Sequence, residues 1–157
     1  MSKIETYLDK YFGEGSSIQL PVPSRRILVR VAPLLSMVAA VLIALFIRTY
    51  WQMGMERYEN ASQLVENASR FSQLGTVWHL ILVLLGAQII LLLANLPAIF
   101  RRKRSGWNGL LRVALLNLVT GVLYLFIPGF GFPNVIGAVV ISAGALLGLM
   151  QTRSYFR

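Results

Sequence analysis

The sequence predicts an all-α polytopic membrane protein, a four-transmembrane-helix bundle with an N-terminal amphipathic interfacial helix. Three observations lead there. Apolar residues fill 56% of the 157 positions and charged ones 13%, the balance of a chain whose main solvent is lipid. The fifteen Lys/Arg and six Asp/Glu crowd into short stretches. Between these, Val31 to Ile47, Phe71 to Phe100 and Val113 to Thr152 hold only His79 as a residue that changes charge near neutral pH. Finally, no stretch alternates apolar and polar residues as a barrel strand does, and backbone groups in hydrocarbon must then be satisfied within a helix.

Residues 1–26 read as a cytoplasmic amphipathic helix and a proline-containing linker. Ile4, Tyr7, Leu8, Tyr11 and Phe12 recur at helical spacing, with Lys3, Glu5, Asp9 and Lys10 opposite them. Ser2 and Glu5 have capping-box spacing, and Gly13 and Gly15 stop the helix. A helix this short needs a surface, so it is expected on the headgroup layer or against the bundle. Leu20-Pro21-Val22-Pro23 follows as a semi-rigid link. Ser24-Arg25-Arg26 has the look of a twin-arginine signal, but the strongly apolar run after it carries no cleavage site and three more spans follow. The pair marks the end of an uncleaved span.

Residues 27–157 form the membrane domain, with spans at 27–50, 76–100, 109–127 and 134–151. Each supplies the roughly twenty apolar residues that a bilayer core requires. Pro128, Gly129, Gly131 and Pro133 divide the long third run into two spans joined by a tight hairpin. The segment 51–75 is an outer helical loop. In it Glu59-Asn60-Ala61-Ser62 repeats as Glu66-Asn67-Ala68-Ser69, and Trp51, Met55, Tyr58, Val65 and Ala68 make a heptad-like stripe. This helix either continues the first span or lies along the surface. Asn60 and Asn67 match the glycosylation sequon, which is read as a chance match in a helical spacer.

Charge sets the expected topology. Twelve Lys/Arg lie in residues 1–30, 101–112 and 153–157, against Arg48, Arg57 and Arg70 on the other side. The positive-inside rule places both termini and the Arg101 to Arg112 loop in the cytoplasm. Arg25, Arg26, Arg101, Arg102, Lys103 and Arg104 are the topology determinants and meet anionic lipid headgroups. No nucleic acid is expected on them. Trp51, Trp78 and Trp107 fall near predicted helix ends, where amphipathic rings anchor.

Within the spans, small residues mark close packing: Ser36, Ala40 and Ala44 on the first helix, Gly144 and Gly148 on the fourth with Ala138 and Ser142 beside them. Gln88, Asn95, Asn117 and Thr120 are suited to hydrogen bonds between helices. His79, beside Trp78, is read as an interfacial packing residue. It is also the one candidate axial ligand for a macrocycle. Without cysteine, thiolate chemistry and Cys/His zinc sites are excluded. No phosphate-binding loop, dinucleotide fingerprint or nucleophile elbow is present. No catalytic residue, metal site or cofactor is therefore expected.

Arg102-Lys103-Arg104-Ser105-Gly106-Trp107-Asn108-Gly109-Leu110-Leu111, the ending Thr152-Arg153-Ser154-Tyr155-Phe156-Arg157, the start Tyr7-Leu8-Asp9-Lys10-Tyr11 and Ala32-Pro33 resemble a recurring pattern in small four-helix membrane proteins of bacteria. The resemblance implies a multi-pass protein of the bacterial cytoplasmic membrane and brings no established activity. The Glu-Asn-Ala-Ser repeat departs from that pattern. Function is expected to be non-enzymatic, that of an interaction, scaffold or accessory subunit working through helix packing and the outer loop, with a membrane-protein partner or a second copy. The alternatives are a small transporter or oligomeric channel for a neutral or weakly charged solute and, behind it, a pigment- or haem-binding subunit.

Overall fold

The computed structural model describes residues 3–13, 16, 19–62, 68–126 and 131–157, and for 3–5, 55, 57–62, 68–74 and 131–134 the backbone alone. Among the described residues five α-helices occur in the order α1 Lys3–Phe12, α2 Val22–Ser62, α3 Ala68–Phe100, α4 Arg104–Leu123 and α5 Gly131–Thr152. Short 3₁₀ turns, Tyr124–Phe126 and Arg153–Tyr155, close α4 and α5. Four of the helices are long and apolar enough to cross a membrane, over Val22–Gly54, Gly75–Phe100, Arg104–Phe126 and Val135–Tyr155. The protein is an all-α four-helix membrane bundle.

Several boundaries differ from the sequence expectation. Proline bears on two of them. The expected linker at Val22-Pro23 is already helix, because a proline in the first turn gives up an N–H that has no helical partner anyway. Pro33 lies well inside α2, as it does within the expected span 27–50. It cannot donate to the Val29 carbonyl one turn earlier, and tertiary packing holds the helix through that loss. Pro133 is likewise in the first turn of α5, which begins at Gly131. The remainder of the expected hairpin, 127–130, lies outside the described residues.

The cytoplasmic loop expected between spans two and three contracts to Arg101, Arg102 and Lys103. α4 starts at Arg104 instead of Gly109. The turn is a Schellman motif: Arg102 N–H donates to Ile99 O at 3.0 Å and Lys103 N–H to Ala98 O at 2.8 Å. Arg102 takes the left-handed conformation this motif requires, with φ of 50°. Glycine normally fills that position, and a side chain there costs about 1 to 2 kcal/mol.

On the opposite side, α2 does not stop near Tyr50. It runs 41 residues to Ser62, about 60 Å at 1.5 Å per residue, or twice the hydrocarbon thickness of a bilayer. α3 begins at Ala68, eight residues before the span expected at 76–100. The outer segment is thus helix on both flanks, and 63–67 lie outside the described residues. So do the side chains of the Glu-Asn-Ala-Ser repeat, of Asn60 and Asn67, and of most of the heptad-like stripe.

Two apolar clusters hold the bundle. At the basic end, Val29, Trp107, Leu111, Ala114, Leu146, Met150 and Phe156 pack together, and Leu8 and Phe12 of α1 close over them. Tyr7 and Tyr11 of α1 stay exposed. At the other end Tyr50, Ile81, Leu85, Tyr124 and Val135 form the second cluster. Its rings stack closely, Tyr50 on Trp78 at 3.8 Å and Phe46 on Tyr50 at 5.8 Å between centroids. The outward residues of α2, among them Leu34, Leu35, Val38, Val41, Leu42 and Leu45, are exposed, as a lipid-facing surface is.

Candidate functional site

The basic end carries the densest chemistry. Trp107, expected as a ring at the headgroup boundary, is instead fully buried. The shift of the α4 start to Arg104 turns the indole inward, where Nε1–H donates to Leu149 O at 2.8 Å. Thr152 Oγ1 donates to Gly148 O at 2.7 Å. Both acceptors are carbonyls in the last turns of α5, the first bonded from α4 and the second from within α5 itself. Two guanidiniums lie against the indole ring, Arg104 at 4.8 Å and Arg153 at 5.4 Å from its centroid, a cation–π arrangement. The chain end pairs with the α3–α4 turn: Arg157 N–H donates to Arg102 O and Arg104 N–H to Arg157 O, both at 2.9 Å. That second bond occupies one of the open N–H groups at the start of α4, whose N-cap Lys103 offers no side-chain acceptor.

The linker before α2 is tied to the same end. Leu20 N–H donates to Oε1 of the fully buried Gln151 at 2.6 Å, and Arg25 Nε donates to Leu20 O at 2.8 Å. Of the six expected headgroup residues, Arg25 and Arg104 are therefore engaged with the protein. Arg26, Arg101, Arg102 and Lys103 are exposed. Two adjoining cavities, of about 270 and 360 Å³, open between α2 and the α3–α4 turn, sharing Val29, Arg30 and Arg102.

The packing residues divide. Ser36 and Ala40 are buried, and Ser36 Oγ donates to Ala32 O at 2.8 Å within its own helix. Ala44 is exposed. Gly144 faces open space, while a Cβ at Gly148 would sit 3.7 Å from Leu28 Cδ1. Close approaches between helices also occur at glycines not expected as packing residues. A Cβ at Gly106 would lie 2.6 Å from Ile99 N, and one at Gly121 would lie 2.6 Å from the Ala138 Cβ. Glycines recurring within α4, the most inward helix, were the available signal.

The uncharged polar groups serve mainly to join helices. Gln88 Nε2 donates to Thr120 Oγ1 at 3.1 Å between α3 and α4, and Asn117 Nδ2 to Ser142 Oγ at 2.9 Å between α4 and α5. Asn95 turns back on its own helix, donating to Leu91 O at 2.8 Å. Gln88 Oε1 is buried with no hydrogen-bond partner among the described residues.

His79 is exposed on α3, its Nδ1 lying 2.6 Å from Gly75 O one turn earlier. With the proton on Nδ1 as donor, Nε2 carries the lone pair that a ligand site would use. Among the described residues, no three His, Asp or Glu side chains gather into a metal-binding group. No family model matches the chain, and neither the curated proteins nor the solved structures contain a significant match to it.

Proposed function

We propose that the protein is a non-enzymatic scaffold or accessory subunit of a bacterial cytoplasmic membrane, with its basic end in the cytoplasm and its long α2–α3 arm on the far side. The observation that carries this reading is the length of α2. A helix built only to cross would end near the expected boundary at Tyr50, yet α2 continues to Ser62 and α3 starts at Ala68, ahead of the expected span at 76–100. Such an extension gives no further burial in the bilayer, and it offers a rigid surface to a partner. The polar side chains in the spans favour the same reading, since Gln88, Thr120, Asn117 and Ser142 are spent on joining helices rather than lining a path.

A photo-crosslinking residue placed at the exposed Gln52 or Glu56 tests it in living cells. The expected product is an adduct of defined mass with another membrane protein, absent when the probe is moved to the lipid-facing Val41. Purified protein that reconstitutes as a monomer and conducts a robust ion current would overturn the scaffold reading in favour of a channel.

A further inference from the structure

We propose that the groove between α2 and the α3–α4 turn binds one anionic phospholipid, its phosphodiester held by Arg26, Arg30 and Arg102 and one acyl chain lying along the apolar floor. The proposal requires only that the basic end meets a headgroup layer. It does not depend on the scaffold reading or on which leaflet that layer belongs to.

The two cavities form one groove whose arginines gather toward one end and whose apolar residues continue toward the other. The outer one, about 360 Å³, is bounded by Arg26, Arg30, Arg102 and Tyr155 with Ile27 and Val29. The inner one, about 270 Å³, retains Arg30 and Arg102 at its rim and continues along Pro33, Leu34, Met37 and Phe100. Arg26, Arg30, Pro33, Leu34 and Met37 follow helical spacing on a single stripe of α2. From Arg26 to Met37 the stripe descends about 16 Å, close to one leaflet of hydrocarbon. A phosphate among the arginines therefore places the chain beneath it beside Leu34, Met37 and Phe100, all of them exposed to the bilayer.

Charge complementarity selects an anion. Three guanidiniums share the groove, and no Asp or Glu lines either cavity. Their neighbours are already committed: Arg104 and Arg153 to the Trp107 ring, Arg25 to the Leu20 carbonyl. No side-chain hydrogen bond or ion pair engages Arg26, Arg30 or Arg102 among the described residues. Three uncompensated positive charges in one groove repel one another, and a guanidinium's planar donors match phosphate oxygens. Tyr155 completes the lining of the outer cavity. A basic recess between membrane helices is the form that acidic-headgroup sites take.

The backbone supplies a separate argument. Arg102 occupies the left-handed position of the Schellman turn, where glycine would be conformationally preferred. The protein accepts that strain and thereby sets a third guanidinium opposite Arg26 and Arg30. A site that needed only positive charge near the membrane would be served by Arg101 or Lys103 on either side.

Native mass spectrometry of the full chain in detergent, titrated with dioleoyl phosphatidylglycerol and separately with dioleoyl phosphatidylcholine, tests the proposal. One phosphatidylglycerol should bind at least tenfold more tightly than phosphatidylcholine. Arg102→Gly should weaken that binding at least fivefold while melting no lower than the wild type, since glycine relieves the backbone. Arg30→Gln should weaken it similarly, and Arg112→Gln, which removes the same charge from an exposed site outside the groove, should stay within twofold. Leu34→Trp, filling the floor without altering charge, should also weaken it. Equal losses in Arg112→Gln and Arg102→Gly would reduce the effect to diffuse charge and overturn the proposal. So would displacement of the lipid by glycerophosphoglycerol or inorganic phosphate at equal concentration, which would make the groove a site for a free anion.

Discussion

The indole N–H of Trp107 in α4 donates to the backbone carbonyl of Leu149 in α5 at 2.8 Å, inside an apolar cluster that also receives α1. This bond ties α4 to the end of α5, and Leu8 and Phe12 of α1 pack against the cluster around it. Trp107→Phe keeps most of the ring and removes the donor, so the expected loss is about 1 to 2 kcal/mol. Trp107→Ala also opens a cavity and should cost about 3 to 5 kcal/mol. Reversible denaturation in detergent checks both, and a Phe variant as damaging as Ala would show that the hydrogen bond outweighs the packing.

Gly106 should be sensitive, and Gly144 indifferent, to the same substitution. A Cβ at Gly106 meets the backbone of Ala98 and Ile99, whereas Gly144 has nothing within 4 Å. Gly106→Ala is expected to destabilise by about 1 to 3 kcal/mol through overpacking. Gly144→Ala should remain within about 0.5 kcal/mol of the wild type. If Gly144→Ala instead blocks association in the membrane, its open face is a seam between copies.

Asn117 and Ser142 can be separated from general packing by a double-mutant cycle. Both single alanine variants and the pair, unfolded under the same conditions, should give a coupling of about 0.6 to 1.7 kcal/mol. A coupling indistinguishable from zero would mean that each group finds an equally good partner when the other is removed.

The proposed orientation makes a chemical-labelling prediction. Cysteines at Ser105 and Ser154, both exposed at the basic end, should resist an impermeant thiol reagent in intact cells, and one at Ser62 should react. Labelling at Ser105 but not at Ser62 would reverse the topology.

His79→Gln tests the ligand reading of the single histidine. The Gly75 bond lies within α3, and an amide can keep one donor there. Insertion and oligomeric state should be unchanged, and the natively purified wild type should be colourless. A visible absorption that accompanies the wild type and vanishes in the variant would identify His79 as an axial ligand.

Four spans were legible in the residues because hydrocarbon thickness and the exclusion of charge act on composition alone, whatever a helix packs against. Val31 to Ile47 must be in lipid for reasons contained in those seventeen residues. The pairing of Gln88 with Thr120 and of Asn117 with Ser142 was legible only as a tendency, since a polar residue in a span needs a partner but does not name one. Trp107 shows where local reasoning stops. A tryptophan beside a basic turn suits the headgroup layer, and only the meeting of α1, α4 and α5 creates an interior there that a ring can fill. Arg102 shows the same for the backbone, because its left-handed conformation belongs to a three-residue turn whose length is set by how α3 and α4 pack. Residue composition fixes what enters the membrane and where charge cannot go, because both are transfer free energies summed along the chain. Tertiary structure decided which side chains became interior, where each helix began and which guanidiniums were left facing a groove, because those depend on contacts between residues far apart in sequence.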